Sequence, residues 1–208
     1  MDHGASLNVI RLTRPSRRVD IVLMAQPILR GPFTVDAYQR LAELGVLRAD
    51  ARVELLDGQV VEMSPIGDRH ANVVRRLNRL LSTALLDRAI VDIQNPVVLG
   101  SHDAPQPDLV LLKPRADAYP NHPRARDFLL IIEVADTTLA YDRDFKVPLY
   151  ARSGIPETWL IDLSGDQILV FRRPAHGAYA EQHTLSRDEM HALLAFPSVT
   201  LAAADVLG

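Results

Sequence analysis

Two apolar runs constrain the fold of this chain more than any other feature of its sequence. PDLVLL and FLLIIEV are almost continuously apolar, which is typical of central β-strands that are covered on both faces. Asp108 opens the first run, and Glu133 closes the second. Because neighbouring strands lie about 4.8 Å apart, adjacent placement of these two strands would bring both carboxylates within reach of one cation.

Shorter patterns on either side of these runs predict the remaining elements. Thr34 and Gly45 bracket a short helix pattern, and Asp57-Gly58 within RVELLDGQVVEMSP is typical of a hairpin turn. Apolar residues recur at helical spacing through residues 70–86, and AIVDI, TWLIDL and QILVFRR have strand patterns. This order predicts an α/β fold with a mixed β-sheet flanked by helices, an N-terminal hairpin and additional C-terminal strands.

Length and composition limit the number of domains and the kinds of site that the chain can form. Its 208 residues contain no repeat and no Ser/Gly linker, so we expect residues 24–208 to form a single domain and residues 1–23 to form a disordered extension. The 0 cysteines exclude thiolate metal sites and fit the cytoplasmic location that we predict. No apolar run approaches the roughly 20 residues that cross a membrane. The net charge of -3 argues against constitutive tight binding to DNA, but it accommodates an enzyme with an acidic metal site.

The two acids at the strand ends predict a site for a hard divalent cation. Carboxylate oxygens, with water in the remaining positions, suit Mg²⁺ or Mn²⁺. Such an ion polarises a phosphoryl oxygen and lowers the pKa of a bound water. Glu54, near the start of a strand pattern, is a candidate third acid. Lys146 would orient this water or help to deprotonate it, and it would stabilise developing negative charge.

Pro148 limits the helix that carries Lys146. Asp142, Lys146 and Tyr150 are four residues apart, which places them along one helical face. Proline is accepted only in the first turn of a helix or at a kink. The pattern therefore favours a helix that begins near Lys146 rather than at Asp142, and it leaves open whether the amine points back to the sheet.

Each of these residues also has a simpler explanation. An acid at a strand end, such as Asp108, is often only a solvent-facing residue, and a single lysine such as Lys146 usually lies on a solvated helix face. Glu133 differs because five apolar residues precede it, and burial of an unpaired carboxylate is costly. Glu133 therefore favours a partner or a metal, and the three residues together favour a functional site.

The same residues carry a resemblance to a known group of enzymes. PD, followed by an acid at the end of an apolar strand, resembles the motif of the PD-(D/E)xK nuclease superfamily. RVELLDGQVVEMSPIGDRH, QNPVVL, PQPDLVLL and LLIIEVADTTLAYDRDFKVPLYARSGIPETWLIDL are similar to the bacterial Uma-two family, which is grouped with restriction endonucleases. The similarity covers most of residues 33–163, and it extends more loosely into the C-terminal strands.

The resemblance implies a restriction-endonuclease-like core that binds Mg²⁺ (or Mn²⁺) and hydrolyses phosphodiester bonds by in-line attack of water. It implies that Asp108, Glu133 and the backbone carbonyl of Val134 bind the metal, and that Glu54 corresponds to the family's early acid. The further positions that match the family, and that would support the site, are His70, Gln94, Tyr150 and Asp162.

The chain departs from the superfamily pattern in two places. An ExK motif would place the lysine at Ala135, so Lys146 must supply the amine from the following helix. The predicted helix over residues 70–86 contains no glutamate. Glu54 must therefore supply the acid that the superfamily carries on this helix, or that acid is missing.

These features predict a metal-dependent endonuclease that acts on DNA, with Asp108, Glu133, Lys146 and Glu54 as its catalytic residues. We expect a homodimer, because one site cuts one strand. The alternative is a non-catalytic dimeric interaction module on the same fold. A metal-dependent hydrolase of another phosphoester is a third candidate, which would bind the metal without cutting nucleic acid.

Overall fold

The two acid-bearing strands lie next to each other inside a six-stranded mixed sheet. The structure, a computed structural model, describes residues 27–29, 31–48 and 50–208, so the extension predicted for residues 1–23 lies outside the described residues. The strands of this sheet, in their spatial order, are β4 (Ile90–Ile93), β5 (Leu109–Leu112), β6 (Phe128–Ala135), β7 (Glu157–Asp162), β8 (Gln167–Ala175) and β9 (Ala178–Leu185). β6 and β7 are parallel and the other neighbours are antiparallel, which confirms the predicted mixed sheet.

The central strands are covered on both faces, as their apolar sequences predict. Along β5, Leu109 and Leu111 pack into a core cluster with the apolar side of helix α2 (Asp68–Leu85). Val110 and Leu112 point the other way and pack into a second cluster with the helical segment that follows β6. Alternate residues of a strand face opposite sides of a sheet, so only a strand with a layer on each side is apolar at every position.

The helix α2 begins at Asp68 rather than at residue 70. Gly67 occupies the N-cap position with an extended backbone, and because glycine has no side chain the helix has no side-chain capping hydrogen bond. Asp68 is therefore the first helical residue, where an acid interacts favourably with the helix dipole. His70 lies in the first turn as a consequence, and a 3₁₀ turn at Leu86–Arg88 follows the helix.

A small N-terminal sheet carries Glu54 to the larger sheet. The N-terminal elements are β1 (Pro27–Leu29), α1 (Val35–Glu43), β2 (Val53–Leu56) and β3 (Gln59–Glu62). Asp57 and Gly58 have left-handed backbones, with φ of 50° and 70°, as the predicted hairpin turn requires. Leu55 and Ala104 exchange two backbone hydrogen bonds of 3.2 and 2.8 Å. This docking places Glu54 beside the segment that leads into β5.

The segment that carries Lys146 is helical from Leu139 onward, which corrects the predicted start near Lys146. It consists of α3 (Leu139–Tyr141), a π-helical turn (Asp142–Lys146) and α4 (Val147–Arg152). The Val147 N–H donates to the carbonyl of Asp142, five residues earlier. Because proline lacks an N–H and crowds the carbonyl four residues before it, the wider π turn lets the helix continue past Pro148.

The C-terminal part of the chain forms a short hairpin and a helix. The hairpin agrees with the additional C-terminal strands that the sequence predicts. These elements are β10 (Met190–Ala192), β11 (Thr200–Ala202) and α5 (Ala203–Leu207). The Arg76 guanidinium donates to the carbonyl of Val206 at 2.9 Å, which fastens α5 to α2. Within the described residues, no helix combines the length and the apolar character that crossing a membrane requires.

A buried ion pair between β7 and β8 gives a stability prediction. Glu157 is fully buried, and it accepts hydrogen bonds from Arg172 Nε at 2.8 Å, Trp159 Nε1 at 2.9 Å and the Leu194 N–H at 2.8 Å. Removing one partner of such a pair costs about 3–5 kcal/mol, because the other charge stays buried. We expect Arg172→Met to lower the free energy of unfolding in urea by about 3 kcal/mol. Arg173→Met, on the exposed side of β8, is the control, and an equal loss in both variants would contradict the prediction.

Candidate active site

Four buried acids and one buried lysine line a cavity of about 230 Å³. The sheet supplies two acids, the N-terminal hairpin supplies one, and the helical segment after β6 supplies one acid and the lysine. We call this cavity the acid cavity, and its five buried charged residues are Glu54, Asp108, Glu133, Asp142 and Lys146. None of the five is more than 8% exposed, so burial and their mutual contacts determine their charge states.

Asp108 and Glu133 face each other across neighbouring strands. Leu109 of β5 pairs with Ile132 of β6 in antiparallel register, so the next residues outward are Asp108 and Glu133. Residues directly opposite each other in an antiparallel pair project to the same face. The Val134 N–H donates to Asp108 Oδ2 at 2.9 Å. The structure thus brings together the two acids that the sequence singles out, with the Val134 N–H between the strands that carry them.

Asp108 is held as a carboxylate by three donors. His70 Nε2 lies 2.9 Å from its Oδ2, the Val134 N–H also reaches Oδ2, and Gln94 Nε2 donates to its Oδ1 at 3.1 Å. Burial acts to raise the pKa of Asp108, but these contacts outweigh it and hold that pKa below its usual range. Gln94 has a left-handed backbone, with φ of 51°, and such strain in a residue other than glycine is common at functional sites.

Lys146 reaches the sheet in spite of Pro148. Its Nζ lies 3.2 Å from Glu54 Oε2 and 3.3 Å from Glu133 Oε1. Burial acts to lower the pKa of Lys146, but the surrounding carboxylates, Glu133 first, raise it well above its usual range. The side chain is therefore an ammonium ion at neutral pH. In that state it can orient water and stabilise negative charge.

The acid cavity holds more negative charge than its lysine balances. Burial raises the pKa of Glu133 to about 8, and repulsion from the other carboxylates adds to this while Lys146 opposes it. Burial likewise raises the pKa of Asp142 to about 6, with Lys146 and a hydrogen bond from Thr138 Oγ1 acting against the rise. Tyr150 Oη donates to Glu133 Oε1. A further positive charge in the cavity would relieve this repulsion.

Glu54 is fixed by a chain of hydrogen bonds that runs to Gln94. The Gln106 N–H donates to Glu54 Oε2 at 3.1 Å, and the Gln106 amide donates to the carbonyl of Gln94 at 2.6 Å. Gln94 in turn contacts Asp108. The segment between β4 and β5 therefore connects the hairpin acid to the strand acid, and Glu54 completes the set of carboxylates around Lys146.

Asp162 is placed apart from the other predicted residues. It accepts hydrogen bonds from the Gly165 N–H at 2.8 Å and from Gln167 Nε2 at 2.9 Å, so it stabilises the turn between β7 and β8. It does not line the acid cavity. The sequence analysis missed Asp142 as a member of the site, although its spacing of four residues from Lys146 was the signal for a shared helical face.

The donor chemistry of the acid cavity fits Mg²⁺ or Mn²⁺. Asp108, Glu133 and Val134 line one cavity, and carboxylate and peptide oxygens are the ligands that hard cations prefer. Within the described residues, no group of three or more His, Asp or Glu side chains is already arranged as a ligand set. An ion bound by the two carboxylates and the Val134 carbonyl would have water in its other coordination positions, and Mg²⁺ usually keeps several waters when it binds to a protein.

Comparison with known proteins agrees with the fold and with the sequence resemblance. A family model described as "Putative restriction endonuclease" (Uma2) matches residues 35–204. The fold is similar to that of "a putative nuclease belonging to DUF820" from Anabaena variabilis ATCC 29413, with a TM-score of 0.65 and 18% sequence identity. That similarity covers 85% of this chain and 98% of the other. No curated protein matches the chain significantly.

The mixed sheet with its flanking helices defines a restriction-endonuclease-like α/β protein. The family match extends from α1 to α5 and covers most of the chain. The chain therefore belongs to the Uma2 family, and the resemblance read from its sequence motifs is confirmed.

Proposed function

We propose that this protein is a cytoplasmic, divalent-metal-dependent endonuclease that hydrolyses phosphodiester bonds of DNA in the acid cavity. The observation that carries the proposal is the pairing of Asp108 and Glu133 on adjacent strands with the Lys146 ammonium 3.3 Å from Glu133. Two carboxylates beside one fixed cation match the requirements of phosphoryl chemistry, in which charge develops on the transferred group. Family membership supports the same class of reaction.

The residues of the acid cavity have different roles in this proposed reaction. Asp108, Glu133 and the carbonyl of Val134 would hold Mg²⁺ or Mn²⁺, which when bound polarises a phosphoryl oxygen and lowers the pKa of a water. Lys146 presents its ammonium group beside them and stabilises the negative charge that develops on the phosphate. Glu54 fixes the position of that ammonium from the other side.

Supporting residues hold the two strand acids in place. His70 and Gln94 orient Asp108, and Tyr150 donates to Glu133. Groups that orient metal-binding carboxylates commonly contribute tenfold or more to metal affinity. We also propose that the protein is a homodimer, because one cavity cuts one strand of a duplex. Sedimentation analysis of the purified protein tests this oligomeric state directly.

The proposed activity is tested by cleavage of supercoiled plasmid DNA with Mg²⁺ or Mn²⁺ and with EDTA. We expect nicked and linear products only with the metal, and no products from Asp108→Asn. Asp162→Asn is the matched control, because Asp162 is also buried and also accepts one backbone N–H and one glutamine amide. Equal cleavage by wild type and Asp108→Asn would refute the proposal, and metal binding without DNA cleavage would favour another phosphoester as substrate.

Gln94→Ala provides a more graded test. The variant removes one donor to Asp108, so we expect the affinity for Mn²⁺, measured by calorimetric titration, to fall about tenfold. Gln167→Ala removes the equivalent amide from Asp162 outside the cavity and serves as the control with wild-type affinity. The same affinity in both variants would show that Gln94 has no part in orienting the site.

A further inference from the structure

Exposed apolar side chains lie at the acid cavity, where a highly charged site would not require them. Tyr141 and Ile66 line the cavity, and Phe145 stacks on Tyr141 with ring centroids 5.3 Å apart and an interplanar angle of 29°. Phe145 is 49% exposed and Ile66 is 41% exposed. Both are residue types that proteins usually bury, so this exposure needs a reason.

These side chains come from two separate segments of the chain. Phe145 directly precedes Lys146 in the π turn, so the lysine points into the cavity while the phenyl ring remains at the surface. Ile66 lies in the segment between β3 and α2, which forms another part of the cavity wall. Ile66 and Tyr141 therefore line the acid cavity from two separate segments, and Phe145 extends the apolar surface from Tyr141.

Core packing does not account for these residues. Within the described part of the chain, Ile66, Tyr141 and Phe145 belong to none of the buried apolar clusters. Aromatic residues four positions apart stabilise a helix only slightly, which leaves the exposed face of the pair unexplained. A flat apolar face beside a charged cavity suits a ligand that carries a flat ring next to a charged group.

We propose that the Tyr141–Phe145 pair, with Ile66, stacks an unpaired nucleobase of the DNA next to the phosphate that is cut. This inference rests on the proposed function and deepens it by naming the substrate class, which is DNA with unpaired nucleotides. Every base has a π-face that stacks on aromatic side chains. In a paired duplex both faces are already stacked on neighbouring bases, so only an unpaired or extruded base can use the pair.

The charges around the cavity favour the same substrate. Its wall carries six acidic side chains but only one arginine, Arg52, and one lysine, Lys146. Binding of an intact duplex depends mainly on basic contacts to many phosphates, and this wall does not supply them. Stacking of a base is independent of such contacts and places the adjacent phosphate at the acids.

The experiment compares cleavage of one labelled DNA sequence in two forms with Mg²⁺. The first form is a fully paired duplex and the second contains unpaired nucleotides at its centre. We expect wild type to have a higher kcat/KM for the unpaired form. Phe145→Ala should lower the ratio of the two kcat/KM values about tenfold, mainly through KM, and Phe145→Tyr should restore it. Leu44→Ala, which removes another exposed apolar side chain, is the control and should retain the wild-type ratio.

The outcomes separate this inference from the proposed function. A wild-type preference for the paired duplex, or an unchanged ratio in Phe145→Ala, overturns the stacking site and leaves the endonuclease assignment intact. Absence of cleavage of both forms by wild type overturns the proposed function as well. Thermal unfolding of each variant shows whether it is folded. Phe145→Leu keeps an apolar side chain but removes the aromatic face, so it should lower the ratio as Phe145→Ala does, and an unchanged ratio in Phe145→Leu overturns the stacking site if Phe145→Ala is unfolded.

Discussion

Glu133→Gln is expected to abolish DNA cleavage while making the protein more stable. The variant keeps the size of the side chain and can still accept the hydrogen bond from Tyr150, but it removes the negative charge. In the proposed site Glu133 holds the metal, and loss of such electrostatic stabilisation of the transition state typically lowers the rate about 100- to 1000-fold. The same charge is buried among other carboxylates, and burial raises the pKa of Glu133 to about 8. At pH 9 we therefore expect the variant to gain about 2 kcal/mol in free energy of unfolding.

Glu157→Gln is the matched control for this pair of effects. Glu157 is also a fully buried glutamate, but it is paired with Arg172 and lies on β7 outside the acid cavity. Its neutralisation leaves a buried guanidinium without its partner, so this variant should lose stability and retain cleavage. The free energy of unfolding in urea should rise in Glu133→Gln and fall in Glu157→Gln, and only Glu133→Gln should lower kcat/KM on plasmid DNA. A destabilised Glu133→Gln, or one that cleaves DNA normally, would contradict the prediction.

Stability without divalent metal is expected to fall as the pH rises from about 4.5 to about 8. Below pH 4.5, the usual pKa of a glutamate, Glu133 is protonated in the folded and the unfolded chain. Between the two values the unfolded chain releases this proton, whereas the folded chain keeps it up to about pH 8. Each pH unit in this window therefore costs up to about 1.4 kcal/mol. Asp142, with a pKa raised to about 6, adds a loss of the same sign between about pH 4 and 6.

Thermal unfolding between pH 4.5 and 9, with and without Mg²⁺, measures this dependence. Bound metal favours the ionised carboxylates, so Mg²⁺ should restore most of the stability at pH 8. Glu133→Gln should remove the decline between pH 6 and 8. The depressed pKa of Asp108, caused by its three donors against the effect of burial, acts only in more acidic solution. A stability that is constant or rises from pH 6 to 8 in wild type would show that Glu133 is ionised in the folded protein.

The strand-borne half of the site could be predicted from the sequence because it follows from local patterns. The apolar runs around Asp108 and Glu133 identify central strands, and two such strands with an acid at one end of each can align these acids. The sequence does not specify that Leu109 pairs with Ile132, but this register completes the arrangement. The predicted hairpin around Asp57 and Gly58 likewise follows from its turn residues.

The helix-borne half could not be predicted because it depends on an unusual turn. Pro148 led to the expectation of a helix that begins near Lys146, whereas the π turn before this proline lets the helix begin at Leu139. With that turn in place, Asp142 joins the cavity beside Lys146. The family motif includes Asp162 as a supporting residue, and the structure places its hydrogen bonds in the turn between β7 and β8.

The position of Glu54 in the acid cavity could not be predicted from local sequence patterns either. Glu54 reaches Lys146 only because Leu55 pairs with Ala104 and because Gln106 donates to the Glu54 carboxylate. These partners lie about 50 residues from the hairpin, as the separation of 52 between Glu54 and Gln106 shows. Local periodicity predicts that the hairpin exists, but tertiary contacts decide where its acid lies.

The most direct test of the account is calorimetric titration of Mg²⁺ into the protein in buffers of different ionisation enthalpy. Because Glu133 keeps its proton up to about pH 8, binding at pH 7 should release close to one proton, and binding at pH 9 should release almost none. Asp108→Asn and Glu133→Gln should each abolish the site, and Asp162→Asn should retain it. Binding of Mg²⁺ that is unchanged in Asp108→Asn and Glu133→Gln, or no binding by wild type, would contradict the assignment of the acid cavity as a metal site.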